Sequence, residues 1–281
     1  MKPNPYRVVE ILKKKLREKK QFYDNRMTNV SDKEIPAHNF YTLKEVGAIA
    51  LAMDEIPYAK EIFKRGILGF LNSKDIFKEI PGGYLDSTES KWPWYLYLGL
   101  GPEKCINMYQ MIIDNIEKRM AAYIHEVSIN TYKELIGVSI LEFLVQDREN
   151  LIMHISDLIE ISTKYMDIDI SNLSRNKYDI YSCLYGRAGA LMLKGLSQNS
   201  IQDVKSGMNL WSSIGLRLIS THDTPQSIAN LRLIILYDLA KSKWPDFFID
   251  TPFIPPSVTK NGYWTKEELE QIKNNKELPS C

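Results

Sequence analysis

The sequence predicts an all-α protein, an irregular, repeat-like stack of antiparallel helical hairpins completed by an extended, proline-containing segment near the C-terminus. Three observations support this prediction. Apolar residues recur with a helical period along most of the 281 residues. Three stretches share one design, in which a helix, a polar turn and a second amphipathic helix follow each other. Few segments alternate apolar and polar residues with the period of two that is typical of strands.

The composition is that of a folded globular protein, with 44% hydrophobic and 25% charged residues. A formal net charge of +1 argues against a protein that binds nucleic acid over its whole surface. The N-terminal residues lack the apolar core of a secretion signal, and no run of about 18 uncharged apolar residues could span a membrane. The three widely separated cysteines predict reduced thiols and no disulfide framework. We therefore expect a cytoplasmic protein with neither a membrane nor a nucleic acid as its direct partner.

The first predicted element is an amphipathic helix over residues 5–30. Pro5 suits a first helical turn, and Val8, Leu12 and Leu16 begin an apolar stripe along one side. The basic run KKKLREKK is interpreted as a solvated face, because charges opposite an apolar stripe ordinarily face water. A phosphate-binding stripe is the alternative.

Three helical hairpins are predicted between residues 41 and 243, and each begins with apolar residues around a glycine, namely Gly47, Gly137 or Gly186. Small or apolar residues follow, then a polar turn, then a second amphipathic segment. Small side chains let two helices approach closely, and stacked pairs bury a shared core. Further helices are predicted over residues 103–126, 201–219 and 225–243. The unequal spacing of the three glycines predicts an irregular stack instead of a regular solenoid.

Residues 79–103 interrupt the helical periodicity of the sequence and join carboxylates in LDSTES to aromatic residues in WPWY. We predict that the loop from Tyr84 to Tyr95 within this stretch contributes to a partner-binding surface. The candidate residues are Asp86, Glu89, Trp92 and Trp94. Carboxylates would accelerate the encounter with a basic partner, and the aromatic side chains would supply contact area. Alternatively, the aromatic residues anchor the loop to the helices, and WYLYLGL is itself a buried helix.

Residues 244–258 interrupt the helical pattern again, because Pro252, Pro255 and Pro256 lack an N–H and restrict the residues before them, which predicts an extended segment. Such a segment cannot bury its own apolar groups, so we expect it to lie as a strap across the helices. The side chains predicted to fill grooves there are Phe247, Phe248, Phe253 and Ile254. The alternative is an exposed apolar patch that binds a partner. The strap closes a single predicted domain, residues 1–258, and residues 259–281 are predicted as a tail with a short helix.

No motif for catalysis, a cofactor or a metal is found in the sequence. His125 begins like a zinc-protease motif, but Ile129 stands where the second ligand is required. His222 precedes a predicted helix start, where its polar neighbours are interpreted as caps. His38 and His154 have no partner at a recognisable spacing, and GLGPEK has the spacing of no nucleotide-binding loop. We therefore predict no enzymatic activity, no cofactor and no metal.

From about residue 41 to residue 258 the chain resembles the immunity protein 49 family, bacterial proteins encoded beside polymorphic toxins. The resemblance rests on the GRAGALMLKGL helix, the NLWSSIG helix that follows it, the apolar helix NLRLIILYDLAKSKW and the closing segment IDTPFIPPSV. It implies an all-α cytoplasmic protein without enzymatic activity that binds a cognate toxin domain, often a nuclease, and blocks it. The family supplies no ligand residues to carry over.

The near-zero net charge departs from the strongly acidic balance of an inhibitor that mimics nucleic acid, and it favours a local acidic patch or an allosteric contact. The residues alone leave two other classes open. A helical-repeat regulator would bind a protein or peptide unconnected with toxins. An enzyme would assemble a dispersed site in a helical cavity.

Overall fold

The computed structural model describes residues 5–27, 37–72, 92–123, 129–219, 229–276 and 278. These residues form twelve α-helices and contain no strand, which confirms the all-α prediction. The helices are α1 (Pro5–Met27), α2 (Ala37–Ala52), α3 (Ile56–Asn72), α4 (Trp92–Leu100), α5 (Ile106–Tyr123), α6 (Ile129–Val145), α7 (Arg148–Thr163), α8 (Tyr178–Gln198), α9 (Ile201–Leu218), α10 (Leu231–Lys243), α11 (Pro256–Asn261) and α12 (Lys266–Asn274). None of these described helices is long and apolar enough to cross a membrane.

Helix ends follow local capping more closely than they follow the hydrophobic pattern. α10 begins at Leu231, and not at residue 225 as predicted, because the Asn230 side chain accepts a hydrogen bond from the backbone N–H of Leu233 at 3.1 Å. The helix predicted from residue 103 opens with a 3₁₀ turn, Glu103–Cys105, before α5. The first predicted helix, residues 5–30, is described as far as Met27.

The three predicted hairpins are present as α2–α3, α6–α7 and α8–α9, and they share one turn geometry. Each turns at a single non-glycine residue with a left-handed backbone, at φ 64° in every case. The three residues are Asp54, Gln146 and Asn199. The N–H of the following residue donates to the carbonyl five residues earlier, and each of these bonds is 2.9 Å long. The same Schellman-type closure therefore recurs along the stack and gives its repeat-like character a backbone basis.

Two of the predicted glycines lie at close helix contacts. A Cβ atom on Gly47 in α2 would lie 2.6 Å from the ring of Phe63 in α3. A Cβ atom on Gly186 in α8 would lie 2.9 Å from a methyl group of Leu158 in α7. The absence of a side chain at both positions lets the helices approach.

α10 lies in the middle of the stack and contacts α4, α8 and α11. Between residues 231 and 240 only Arg232 and Leu239 are not buried. A helix that is apolar on nearly all sides belongs inside a protein. Through α4, which packs on α3, α10 joins the first hairpin to the third. One hydrophobic core accordingly extends from Val8 in α1 to Leu278 near the C-terminus.

Residues 244–255 form the predicted extended strap, which lies on α9 and α10. Tyr237 of α10 donates a hydrogen bond to the Phe247 carbonyl at 3.2 Å, and Ser212 of α9 donates to the Thr251 hydroxyl at 2.8 Å. The apolar side chains buried by the strap are Phe247, Ile249, Phe253 and Ile254. Burial is thus confirmed for three of the four side chains that were predicted to fill grooves.

The prediction is wrong for Phe248, whose side chain is 57% exposed. Successive side chains of an extended chain point to opposite sides, so the burial of Phe247 and Ile249 turns Phe248 to solvent. The strap is also shorter than predicted, because α11 begins at Pro256. A proline in the first turn of a helix loses no intrahelical hydrogen bond, since the N–H groups there have no partner within the helix.

Residues after 258 pack into the same core as the residues before them. Tyr263 and Trp264 are buried in one hydrophobic cluster with side chains of α4 and α10. α12 follows, and its first turn is closed by a capping box between Thr265 and Glu268. The structure therefore shows no separation in packing at the predicted domain end.

Candidate functional site

Of the four predicted partner-binding residues, the structure fully describes only Trp94. Its side chain is 1% exposed, and the guanidinium of Arg232 lies 5.2 Å from the ring centre. Since a buried side chain is not available to a partner, the assignment of Trp94 to a binding surface is corrected. The alternative interpretation, in which WYLYLGL is a buried helix, agrees with α4. Trp92 opens α4 but its side chain lies outside the described part of the chain, as do Asp86 and Glu89.

The outer side of α7 is the described surface with the clearest binding character, and we call it the α7 face. Its members are Glu149, Ile152, Met153, Asp157 and Glu160, all exposed. Ile152 is 63% and Met153 50% exposed, although both are large apolar side chains. They point outward because the opposite side of α7 is buried against α6 and α8 through Leu151, Ile155 and Leu158.

Carboxylates border the two apolar side chains on the α7 face. Among the described residues, no cation lies within ion-pair distance of Glu149, Asp157 or Glu160. Glu149 lies in the first turn of α7, where the helix dipole also favours a negative charge. Asp157 and Glu160 lie beyond the first turn, so the helix dipole does not explain their charges. Together with Glu149 they make the face acidic. An apolar centre with a charged border is typical of protein-binding surfaces.

The chain after α7 continues this chemistry. Met166 is 55% exposed and is followed by the exposed carboxylates of Asp167 and Asp169. Hydrogen bonds from Ser171 lower the pKa of Asp169, which keeps this carboxylate charged. The connection is fixed to the third hairpin, because Arg217 of α9 donates to the Leu173 carbonyl at 3.1 Å. The acidic surface is therefore presented by an anchored segment.

A buried histidine–carboxylate contact that the sequence analysis missed ties α7 to α6. His154 Nδ1 lies 2.7 Å from Glu142 Oε1, and the Glu142 side chain is fully buried. The sequence spacing of Glu142 and His154, which lie twelve positions apart on the two helices of a hairpin, matches no known motif. The available signal was Glu142 itself, a carboxylate within the apolar run SILEFLV, because a buried charge requires a partner. This contact holds the buried side of α7 against α6, opposite the α7 face.

A second candidate site is a cleft between α3 and α12, with a volume of about 360 Å³. We call it the C-terminal cleft. Its lining includes Lys60, Glu61 and Lys64 of α3, together with Trp264 and Glu268. It combines charged groups with an aromatic side chain, whereas the α7 face has no aromatic member.

Asp238 of α10 fixes the turn that supplies Trp264 to the cleft. Its Oδ1 accepts hydrogen bonds from the backbone N–H groups of Tyr263 and Trp264, the latter at 3.1 Å, and its Oδ2 accepts from the Tyr97 hydroxyl at 2.7 Å. Burial raises the pKa of Asp238 to about 6, although these three donors act in the opposite direction. The indole N–H of Trp264 donates to the Tyr97 carbonyl at 3.1 Å. Hydrogen bonds thus hold both the backbone and the indole ring of Trp264 in place.

Lys60 is clamped at the edge of the same cleft. Its Nζ lies 2.7 Å from both carboxylate oxygens of Glu268 and 4.6 Å from the centre of the Trp264 ring. Burial opposes the charge on Glu268, but hydrogen bonds from Lys60 and Thr265 outweigh it and lower the pKa of that carboxyl. The Lys60 charge is therefore compensated within the protein.

The predicted histidine patterns at His125 and His222 lie outside the described residues. Within the part that the structure describes, no cluster of histidine, cysteine and carboxylate side chains could hold a metal ion. No protein-family model, no curated protein and no solved structure matches this chain at a significant level. The resemblance to the immunity protein 49 family consequently stays a prediction.

Proposed function

We propose that this chain is a cytoplasmic, non-enzymatic immunity protein that binds a cognate toxin domain and neutralises it, with a nuclease as the toxin class that fits best. The observation that supports this proposal is the α7 face, an exposed apolar pair bordered by carboxylates. The toxin class comes from the family resemblance. The chemistry of the surface comes from the structure.

A nuclease binds phosphates in a basic cleft, so an acidic protein surface is complementary to its active site. Complementary charges accelerate the encounter of two proteins and exclude partners of like charge. Ile152 and Met153 then supply apolar contact at the centre of the surface, where most binding energy is gained. A protein that covers the basic cleft prevents the substrate from entering it, and the bound protein needs no catalytic group.

The distribution of charge along the chain agrees with a local contact. Residues 147–169 contain six acidic and two basic residues, whereas α1 contains eight basic and three acidic residues. A protein with a net charge of +1 can therefore present one acidic surface without being an acidic protein. This separation answers the objection that the total charge raises against an inhibitor of a nuclease.

The second candidate function is a helical-repeat regulator that binds a cellular protein or peptide. It is favoured by the three hairpins with identical turns, because stacked hairpins are a common scaffold for protein recognition. A toxin gene next to the gene for this chain distinguishes the two proposals, since only the immunity protein requires it.

The direct test is co-expression of this chain with the toxin domain encoded in the adjoining gene. We expect the chain to restore growth and to form a stable one-to-one complex with that domain. The variant Asp157→Lys/Glu160→Lys should weaken the complex at least about tenfold, mainly through a slower association rate. Growth that is not restored by the unmodified chain, together with no complex, would overturn the proposed function.

A matched control is Glu10→Lys/Glu18→Lys on the exposed side of α1. It changes the net charge by the same amount and leaves the α7 face intact. We expect it to bind the toxin domain like the unmodified chain. Equal weakening by both double variants would mean that the effect comes from total charge, which contradicts a role for the α7 face.

A further inference from the structure

The C-terminal cleft is large enough to hold a small molecule. Its volume of about 360 Å³ falls within the range of roughly 300–1,000 Å³ that ligand pockets occupy. Gly99 of α4 lies at its base, where a Cβ atom would come within 2.8 Å of the backbone nitrogen of Lys64. Beside Trp264, the lining includes two apolar side chains, Ile272 and Leu278.

The two lysines that line the cleft differ in whether a carboxylate neutralises them. Lys60 is neutralised by Glu268, as its 2.7 Å contacts show. Lys64 follows one helical turn later, is half-buried, and has no carboxylate within ion-pair distance among the described residues. Glu61 is exposed and lies three residues before Lys64 on the same helix. A half-buried cation therefore remains available, with an exposed carboxylate beside it.

Side chains three residues apart are neighbours on a helix surface, so Glu61 and Lys64 lie side by side along α3. The two charged groups of an α-amino acid are similarly close together and opposite in sign. Lys64 matches the carboxylate of such a molecule, and Glu61 matches its ammonium group. Half-buried Ile272, together with the small parts of Trp264 and Leu278 that reach the cleft, matches an apolar side chain.

The aromatic wall is prepared before any ligand arrives. Asp238, which is 4% exposed, holds the backbone of Tyr263 and Trp264, and the Tyr263 hydroxyl donates to the Leu98 carbonyl at 2.9 Å. A rigid wall lowers the entropic cost of binding, because few groups have to be ordered when the ligand enters.

We propose that the C-terminal cleft binds a free α-amino acid with an apolar side chain, held by Lys64 and Glu61 of α3 and packed on Trp264. Lys64 Nζ donates to the carboxylate of the ligand, and Glu61 accepts from its ammonium group. This inference stands independently of the proposed toxin binding, since the cleft and the α7 face share no residue.

The test is isothermal titration of the full chain with three probes that share one phenyl ring. L-Phenylalanine has both charged groups, 3-phenylpropanoate lacks the ammonium group, and 2-phenylethylamine lacks the carboxylate. We expect saturable binding of L-phenylalanine with a Kd of about 1 mM or below. The propanoate should bind several-fold more weakly, and the amine more weakly still. No binding of L-phenylalanine at about 10 mM, or equal binding of all three probes, would overturn the proposal.

Variants connect the binding to the named residues. Lys64→Met should weaken L-phenylalanine binding at least about tenfold, because it removes a partly buried charge-assisted hydrogen bond. Glu61→Gln should weaken it about threefold, because exposed charge pairs contribute less. Lys14→Met, at an exposed position of α1, is the matched control and should leave binding unchanged. If Lys64→Met keeps the melting temperature and the affinity of the unmodified chain, the cleft is not the binding site.

Discussion

The α7 face and the C-terminal assembly, residues 244–278, are built in opposite ways. All members of the α7 face come from residues 149–160 of one helix, and their side chains are exposed. The C-terminal assembly is held by contacts between distant parts of the chain, and Lys60 and Glu268, for example, are 208 residues apart. Its aromatic side chains are mostly buried.

Because of this difference, effects of substitutions on binding can be measured separately from effects on stability in the two regions. A side chain that is exposed on one helix contributes little to folding, so its substitution tests binding with little effect on stability. A side chain that joins distant helices contributes to folding directly, and any binding role comes in addition. Substitutions should therefore leave stability intact on the α7 face and reduce it at the buried positions of the C-terminal assembly.

The largest expected effect is at Phe253 in the strap. Its ring lies directly on α9, where a Cβ atom on Gly215 would come within 2.7 Å of it. Phe253→Ala should lower the free energy of unfolding by about 3–5 kcal/mol, because it leaves a cavity in the core. Urea denaturation followed by circular dichroism measures this change.

Phe248→Ala is the matched control, from the same strap but with an exposed ring. It should change the free energy of unfolding by less than about 0.5 kcal/mol. A loss of stability at Phe248 equal to that at Phe253 would contradict the outward orientation of Phe248 between the buried Phe247 and Ile249.

The second effect concerns the buried back of α7. Glu142→Ala removes the buried carboxylate that His154 contacts and should lower the free energy of unfolding by about 1–3 kcal/mol, because a buried polar group loses its hydrogen bond. Glu142→Leu/His154→Leu replaces both partners with apolar groups and should be markedly more stable than Glu142→Ala. If the double variant is the less stable of the two, the pair is not the source of the loss.

The third effect is a pH dependence that originates in Asp238. Its pKa in the folded protein is raised to about 6, above the ordinary value of about 3.9 that holds in the unfolded chain. The folded state binds the proton more tightly, so protonation of Asp238 stabilises it. This contribution is fully present below about pH 4, decreases as the pH rises from about 4 to 6, and is absent above that.

The size of this contribution is at most about 3 kcal/mol, since one pKa unit corresponds to about 1.4 kcal/mol. Asp238→Asn cannot lose a proton, so the difference in unfolding free energy between the unmodified chain and this variant isolates the effect. We expect that difference to favour the unmodified chain progressively as the pH falls from 6 to 4. A difference that is constant over this range would contradict a raised pKa.

The smallest effect on stability is expected on the α7 face. Met153→Ala should change the free energy of unfolding by less than about 0.5 kcal/mol, because the side chain is half exposed. It should nevertheless weaken the toxin complex about tenfold, as expected for an apolar side chain at the centre of an interface. Met111→Ala on α5, where the methionine is 55% exposed, is the matched control. Equal affinity of the two variants would contradict the proposed interface.

Local sequence determined the helices and the three hairpins. Helical periodicity depends on residues three and four positions apart, and a turn depends on the few residues that close it, so both are present in a short stretch of sequence. Asn199, for example, is a residue that tolerates the left-handed backbone that the turn requires. The burial of Phe247 and Phe253 was predictable for a related reason, because an extended apolar segment must lie on other elements.

Tertiary structure decided which of these residues lie inside and what they contact. Trp94 was assigned to a surface because it belongs to a stretch that joins carboxylates to aromatic residues, but α10 and its Arg232 cover the helix that contains it. Phe248 was assigned to the core, but the direction of the strap turns it outward. The partners of Glu142 and Asp238, and the cleft between α3 and α12, depend on how helices from distant parts of the chain pack, which no local pattern specifies.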